Sequence, residues 1–148
     1  MLIGIPKILS PDLLKVLMEM GHGDEVVIAD GNFPSASVAQ ATTTKILVRA
    51  DGHGVPELLD AILTLFPLDQ YVQEPVALMA VTPGDTYEPV IWDSYLEIIK
   101  KHNLDFSGFE HVERFAFYER AKKAYAVIAT GESALYANII LKKGVVKE

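Results

Sequence analysis

Three short stretches of this chain carry residues able to do proton chemistry or hold a polar ligand. Gly21-His22-Gly23-Asp24 sets an imidazole between two glycines, and Asp30 follows six residues after Asp24. Imidazole is the side chain whose ordinary titration falls near neutral pH, so His22 can take and return a proton. The flanking glycines let its backbone approach a substrate closely. A histidine just past a helix can equally cap the exposed carbonyls of that helix, and the sequence leaves both jobs open. Asp30, as a carboxylate, can accept several hydrogen bonds and so could orient a histidine or hold a substrate hydroxyl; before Gly31 it also suits a turn. A helix-end loop and a strand-end loop are expected to bring His22 and Asp30 into one polar cluster.

The second and third stretches lie near the C-terminus. Arg114 falls at the start of a predicted helix, where the helix dipole disfavours a cation, which points to a job other than solvation. Tyr136-Ala137-Asn138 leads into a predicted strand with a phenol and an amide, groups suited to recognising hydroxyls, although a tyrosine there also serves as half-buried packing. Asp51-Gly52-His53-Gly54 leads into Pro56 and reads as turn and helix-entry chemistry. A metal site built from His22, Asp24, Asp30 and His53 has no recognised ligand spacing and is a minority reading. His102 and His111 sit in polar surroundings and are expected at the surface. The chain has no phosphate loop, dinucleotide fingerprint, zincin motif or serine-hydrolase elbow.

These residues need a scaffold, and hydrophobic periodicity supplies one. Ser10-Pro11-Asp12 predicts a helix with Ser10 as N-cap, Leu13, Leu14 and Leu17 as its buried stripe, and Gly21 as the left-handed residue that ends it. Residues 25–29 and 45–49 are β-branched runs that read as buried strands, and each continues into Ala-Asp-Gly. Both carboxylates therefore stand beyond the C-terminal ends of strands, the edge where α/β sheets bind ligands. Helices are predicted over 56–66, 90–101 and 114–123, the last with Phe115, Tyr118 and Ala121 on one face. Strands are predicted over 76–81, 125–129 and 138–141, and the small, uncharged segment 31–44 is a candidate binding loop. The fold class is α/β: one domain over residues 1–148, with a central, mostly parallel sheet flanked by helices.

Composition narrows the function classes. With 148 residues, half of them hydrophobic, the chain has enough apolar material for a core of its own. Its 20 acidic against 13 basic residues give a net charge of −7, which disfavours nucleic acid and anionic membrane surfaces. No apolar stretch is long enough to span a membrane, and the chain is expected to be cytoplasmic. Lacking cysteine, it can form neither a disulfide framework nor a thiolate metal cluster. A positive mean hydropathy of +0.23 on so small a chain predicts that other copies cover some of its apolar surface.

Taken together, Gly21-His22-Gly23-Asp24, Asp30-Gly31-Asn32-Phe33-Pro34, Arg114-Phe115-Ala116-Phe117-Tyr118-Glu119-Arg120, Gly131-Glu132 and Tyr136-Ala137-Asn138 resemble the L-fucose mutarotase and D-ribose pyranase family. The blocks occur in family order through to Ile139-Ile140-Leu141-Lys142-Lys143-Gly144. The resemblance implies a homo-oligomeric ring, often a decamer, with a monosaccharide site at a subunit boundary and no cofactor or metal. It implies His22 as the acid/base histidine, Asp30 as the sugar-binding carboxylate, Arg114 as a substrate contact and Tyr136, Ala137 and Asn138 as pocket lining. Tyr118 is a weaker addition. Tyr136 would order the sugar or relay a proton. Arg114 is similar to the fucose branch, whereas Ala137 stands where that branch more often has glycine. The activity implied is anomer interconversion of L-fucose, with D-ribose a further substrate. The other readings are a non-catalytic sugar-binding or regulatory ring and, more remotely, a metal-dependent hydrolase.

Overall fold

The computed structural model describes all 148 residues. One six-stranded sheet organises the chain: β1 (Glu25–Ala29), β2 (Ile46–Ala50), β3 (Val76–Met79), β4 (Glu110–Val112), β5 (Ala126–Thr130) and β6 (Ile139–Lys142), in the order β2-β5-β1-β6-β3-β4. β2, β5 and β1 pair in parallel, as do β3 and β4, while β6 runs antiparallel to both its neighbours. The expected mostly parallel sheet is present, with β6 as its single reversed strand. That reversal matters for the site, because it brings the residues entering β6 to the edge where the other strands end.

Strand side chains alternate across the sheet and so build two cores. On one face Val26, Ile28, Val76, Leu78, Ile128 and Ile139 join a 25-residue cluster with helices α1 (Pro11–Glu19), α3 (Val55–Leu63) and α4 (Ile91–His102). On the other, Val27, Ala29, Val127 and Ile140 meet α2 (Ser35–Ala39) and α5 (Arg114–Lys122) in a 12-residue cluster around Phe117. The apolar stripes at helical spacing are what make the helices fold, since helix propensity alone is too weak for elements this short.

Capping residues set the helix starts. Ser10 accepts from the Leu13 N–H at 3.1 Å with Pro11 next to it, as predicted. α1 does not end on a left-handed Gly21: Met20 is its C-cap in extended conformation, and the positive φ of +87° falls on Gly23, which turns the chain into β1. Two elements escaped sequence reading. α2 is a short helix inside the segment expected to be a loop, and β4 is a three-residue edge strand without an apolar run. On α5 the buried residues are Phe117 and Ala121, not Phe115, which is exposed. His102 is also not a free surface residue; its Nε2 lies 2.7 Å from Asp60, joining α4 to α3.

Candidate active site

The C-terminal ends of the parallel strands and the N-terminal end of β6 meet at one sheet edge. Asp30 follows β1 directly and is 5 % exposed. Its backbone N–H donates to Asn138 Oδ1 at 2.7 Å, while its carboxylate accepts from the Asn32 N–H at 3.0 Å and the Ala137 N–H at 3.4 Å. β1 and β6 are thus tied together beyond their last paired residues. Burial pushes the Asp30 carboxyl above its ordinary pKa; the N–H groups of Asn32, Ala137 and Phe33 only partly offset this, and nearby Glu132 adds to the rise.

Asn138 and Ala137 are buried, and Tyr136 before them adopts a φ of +56°. A left-handed conformation costs a non-glycine residue about 1 kcal/mol or more and persists only where the surroundings hold it. Here α4 does the holding: the Trp92 indole N–H donates to the Tyr136 carbonyl at 2.8 Å, and the buried Tyr95 hydroxyl to the Ala137 carbonyl at 2.7 Å. Arg114 opens α5 behind its N-cap Glu113. Its guanidinium carbon lies 5.4 Å from the Phe115 ring centre and 5.8 Å from that of Tyr118. The two other arginines, Arg49 and Arg120, are ion-paired with carboxylates, whereas Arg114 is not. A cation kept out of ion pairs beside a buried carboxylate suits a polar ligand with several oxygens.

Asp30, Asn138, Arg114, Tyr118, Tyr136 and Asp85 line a cavity of about 350 Å³ at this edge, with the apolar side chains of Phe33, Met79 and Leu135 also facing it. Arg114, Tyr136 and Asn138 therefore converge with Asp30, whereas Ala137, expected as pocket lining, is fully buried and reaches the site only through its N–H on the Asp30 carboxylate. His22 does not join them within one chain. It precedes β1, whereas Asp30 follows it, and five strand residues at about 3.3 Å each put roughly 17 Å of sheet between the two edges.

His22 has a partner that sequence reading missed. Its Nε2 lies 3.0 Å from Oδ1 of Asp69, and its ring packs against Tyr71. Asp69 is 5 % exposed and accepts a second bond from the Tyr71 N–H. Burial alone would push its carboxyl up, but the Tyr71 N–H, His22 and Lys142 outweigh that and hold it below the usual carboxylate value. The His22 side chain remains 45 % exposed. The helix-capping job falls instead to Lys143, whose ammonium donates to the Leu17 and Met20 carbonyls at the end of α1. His22 is thus left oriented by a buried carboxylate and open to solvent. Asp69 lies 47 residues from it in sequence, in a connection with no local motif, so only the β-bridge between Leu68 and Lys143 reveals the pairing.

The other sequence candidates disperse. Asp24 accepts from the Gly21 N–H, Asp51 pairs with Arg49, and His53 lies against Glu57.

The model for the RbsD / FucU transport protein family matches residues 3–146. This chain belongs to the RbsD / FucU family. Within it, the chain is 56 % identical over 146 residues to a fucose mutarotase of Danio rerio, covering 97 % of this chain and 93 % of the relative. Among solved structures it is similar to FucU of Bifidobacterium longum, with 59 % identity, a TM-score of 0.92 and coverage of 97 % and 99 % of the two chains. It is also similar to the fucose mutarotase of Streptococcus pneumoniae in complex with L-fucose, with 55 % identity, a TM-score of 0.91 and coverage of 99 % and 100 %. Bacillus subtilis RbsD, solved with D-ribose, shares the fold at 23 % identity and a TM-score of 0.68. The RbsD / FucU fold therefore carries the sheet edge described above, and the FucU side of the family lies much nearer this chain than the RbsD structure does.

Proposed function

We propose that this chain is an L-fucose mutarotase, an isomerase that opens and recloses the pyranose ring to interconvert its α and β anomers. The observation that carries this reading is the convergence of buried Asp30 and Asn138 with Arg114 and Tyr136 on one cavity, in a chain 55 % identical to one solved with L-fucose. Hydroxyl donors suit Asp30, while an amide and a phenol can hydrogen-bond further sugar hydroxyls. The apolar side chains of Phe33, Met79 and Leu135 offer a surface for the methyl group of a 6-deoxy sugar, which D-ribose lacks. This favours fucose over ribose.

Mutarotation needs a proton taken from the anomeric hydroxyl and one given to the ring oxygen. The C1–O5 bond then breaks, the open-chain aldehyde turns about C1–C2, and reclosure on the other face reverses both transfers. In this reading His22 moves the proton, with Asp69 fixing its orientation. Asp30 and Asn138 hold hydroxyls, and Arg114 polarises an oxygen through its charge. General acid–base assistance of this kind contributes about 10² to 10⁴-fold.

Because His22 and the cavity occupy opposite edges of one subunit, the site is completed between copies: the His22–Asp69 pair of a neighbouring copy faces the Asp30 cavity. Exposed apolar residues support such an assembly, among them Leu2, Ile3, Tyr71, Leu104 and Phe115. The assembly is a closed homo-oligomeric ring of ten copies, placed in the cytoplasm. No helix is long and apolar enough to cross a membrane.

Exchange NMR of the anomeric protons of L-fucose, with D-ribose in parallel, tests this reading. Accelerated fucose exchange that is lost in His22→Ala is the expected result. Binding of fucose without accelerated exchange would instead select a non-catalytic sugar-binding ring.

A further inference from the structure

The β3–α4 connection, residues 80–90, folds back onto the Tyr136 phenol. Thr82-Pro83-Gly84-Asp85 forms a tight turn closed by the Asp85 N–H on the Thr82 carbonyl at 3.0 Å. Proline precedes a glycine with φ +90°, the combination that a type II turn requires at its two central positions. The turn presents two groups to Tyr136. The Thr82 N–H donates to the phenol oxygen at 3.3 Å, and the phenol donates its proton to Asp85 Oδ2 at 2.6 Å. The other carboxylate oxygen of Asp85 accepts from the Tyr87 N–H at 2.9 Å, which places the Tyr87 ring against the Tyr136 ring at 6.0 Å and 25°.

We infer that Asp85 is a positioning residue that fixes the Tyr136 phenol at the cavity and commits it to accepting, never donating, a hydrogen bond from the sugar. This rests on the mutarotase reading and deepens it. A phenol has one proton. With that proton on a carboxylate at short distance, in a charge-assisted bond, and one acceptor position taken by the Thr82 N–H, only one oxygen lone pair remains for a ligand. Tyr136 therefore cannot deliver the proton that the ring oxygen needs, and it orders a sugar hydroxyl that donates to it. Both bonds to Asp85 favour its ionised form; first the Tyr136 hydroxyl and then the Tyr87 N–H hold its pKa below the ordinary carboxylate value. The backbone at Tyr136 is held by α4, which follows the connection: Trp92 donates to the Tyr136 carbonyl and Tyr95 to that of Ala137. The connection thus secures the phenol, and the helix that follows it secures the strained backbone, of one residue.

Asp85→Asn is the informative change. The amide oxygen can keep the turn bond to the Tyr87 N–H, but its NH₂ then faces the phenol oxygen and reverses the direction of that bond. In exchange NMR, Asp85→Asn is expected to raise KM for L-fucose about five- to tenfold with kcat nearly unchanged, as expected for a lost hydroxyl contact. Tyr136→Phe is expected to do at least as much, and the double variant to match Tyr136→Phe within about twofold, because Asp85 acts through the phenol. Losses that multiply, or an Asp85→Asn variant with an unchanged KM, would overturn the proposal. A second readout needs no activity. The tyrosine Cζ resonance that disappears in Tyr136→Phe is expected to shift in sugar-free Asp85→Asn, and a resonance that stays put would overturn the proposal as well. Wild-type protein that leaves fucose exchange unaccelerated would overturn the mutarotase reading instead, and the Cζ shift would then decide the Tyr136–Asp85 bond by itself.

Discussion

His22 and Asp69 meet at 3.0 Å on the sheet edge opposite Asp30. A buried carboxylate that accepts from one imidazole nitrogen fixes the ring's orientation and leaves the other nitrogen free. Asp69→Asn is expected to lower fucose exchange about 10- to 100-fold, less than His22→Ala, for which a loss of about 10² to 10⁴-fold is expected. Anomer-exchange NMR on both variants, with oligomer size checked by light scattering, measures this.

Separation of His22 from Arg114 across the sheet makes a composite site testable by mixing. His22→Ala and Arg114→Ala subunits are each expected to be nearly inactive when pure. When they are unfolded together and reassembled at equal amounts, about a quarter of the boundaries pair an intact histidine with an intact arginine. Exchange should recover to about that fraction of wild type. A mixture that stays inactive would contradict a site shared between copies.

Asp30 is expected to leave a signature in stability against pH. Its folded pKa is raised above the ordinary 3.8, mainly by burial, so its contribution is fully present below that value and is lost as pH rises through the raised one. The unfolding free energy of wild type minus that of Asp30→Asn should therefore fall as pH increases from about 4 toward neutrality. Denaturant unfolding at a series of pH values reads it, and a flat difference would contradict the burial effect.

Tyr95 is fully buried, and its hydroxyl holds the Ala137 carbonyl at 2.7 Å. Tyr95→Phe leaves that carbonyl without its partner, at an expected cost of about 1–3 kcal/mol in denaturant midpoint experiments. Because Ala137 also donates to Asp30, a raised KM for fucose should accompany the loss.

Much of the scaffold was legible before folding was considered. Ser10-Pro11, the β-branched runs and the helical stripes locate four of the five helices and five of the six strands, because caps and periodicity are local properties. α2 and β4 were not legible. Five small residues of α2 form a helix only because Val38 and Ala39 pack on the sheet beside Phe117, and β4 is a strand only because β3 pairs with it. Phe115 and Phe117 show the same limit, since both fit an apolar stripe and only the packing of α5 chose which one is buried.

The site divides along the same line. Residue types alone marked an imidazole at His22, a carboxylate at Asp30 and an amide at Asn138 as candidate site groups, and predicted an α/β sheet whose edge would hold them. The tertiary structure decided who meets whom. The reversed β6 brings Tyr136, Ala137 and Asn138 to Asp30, while the length of β1 carries His22 to the far edge, where Asp69 waits 47 residues away. Such pairings depend on sheet order and strand direction, which arise from long-range hydrogen bonds and core packing and so leave no trace in the spacing of neighbouring residues.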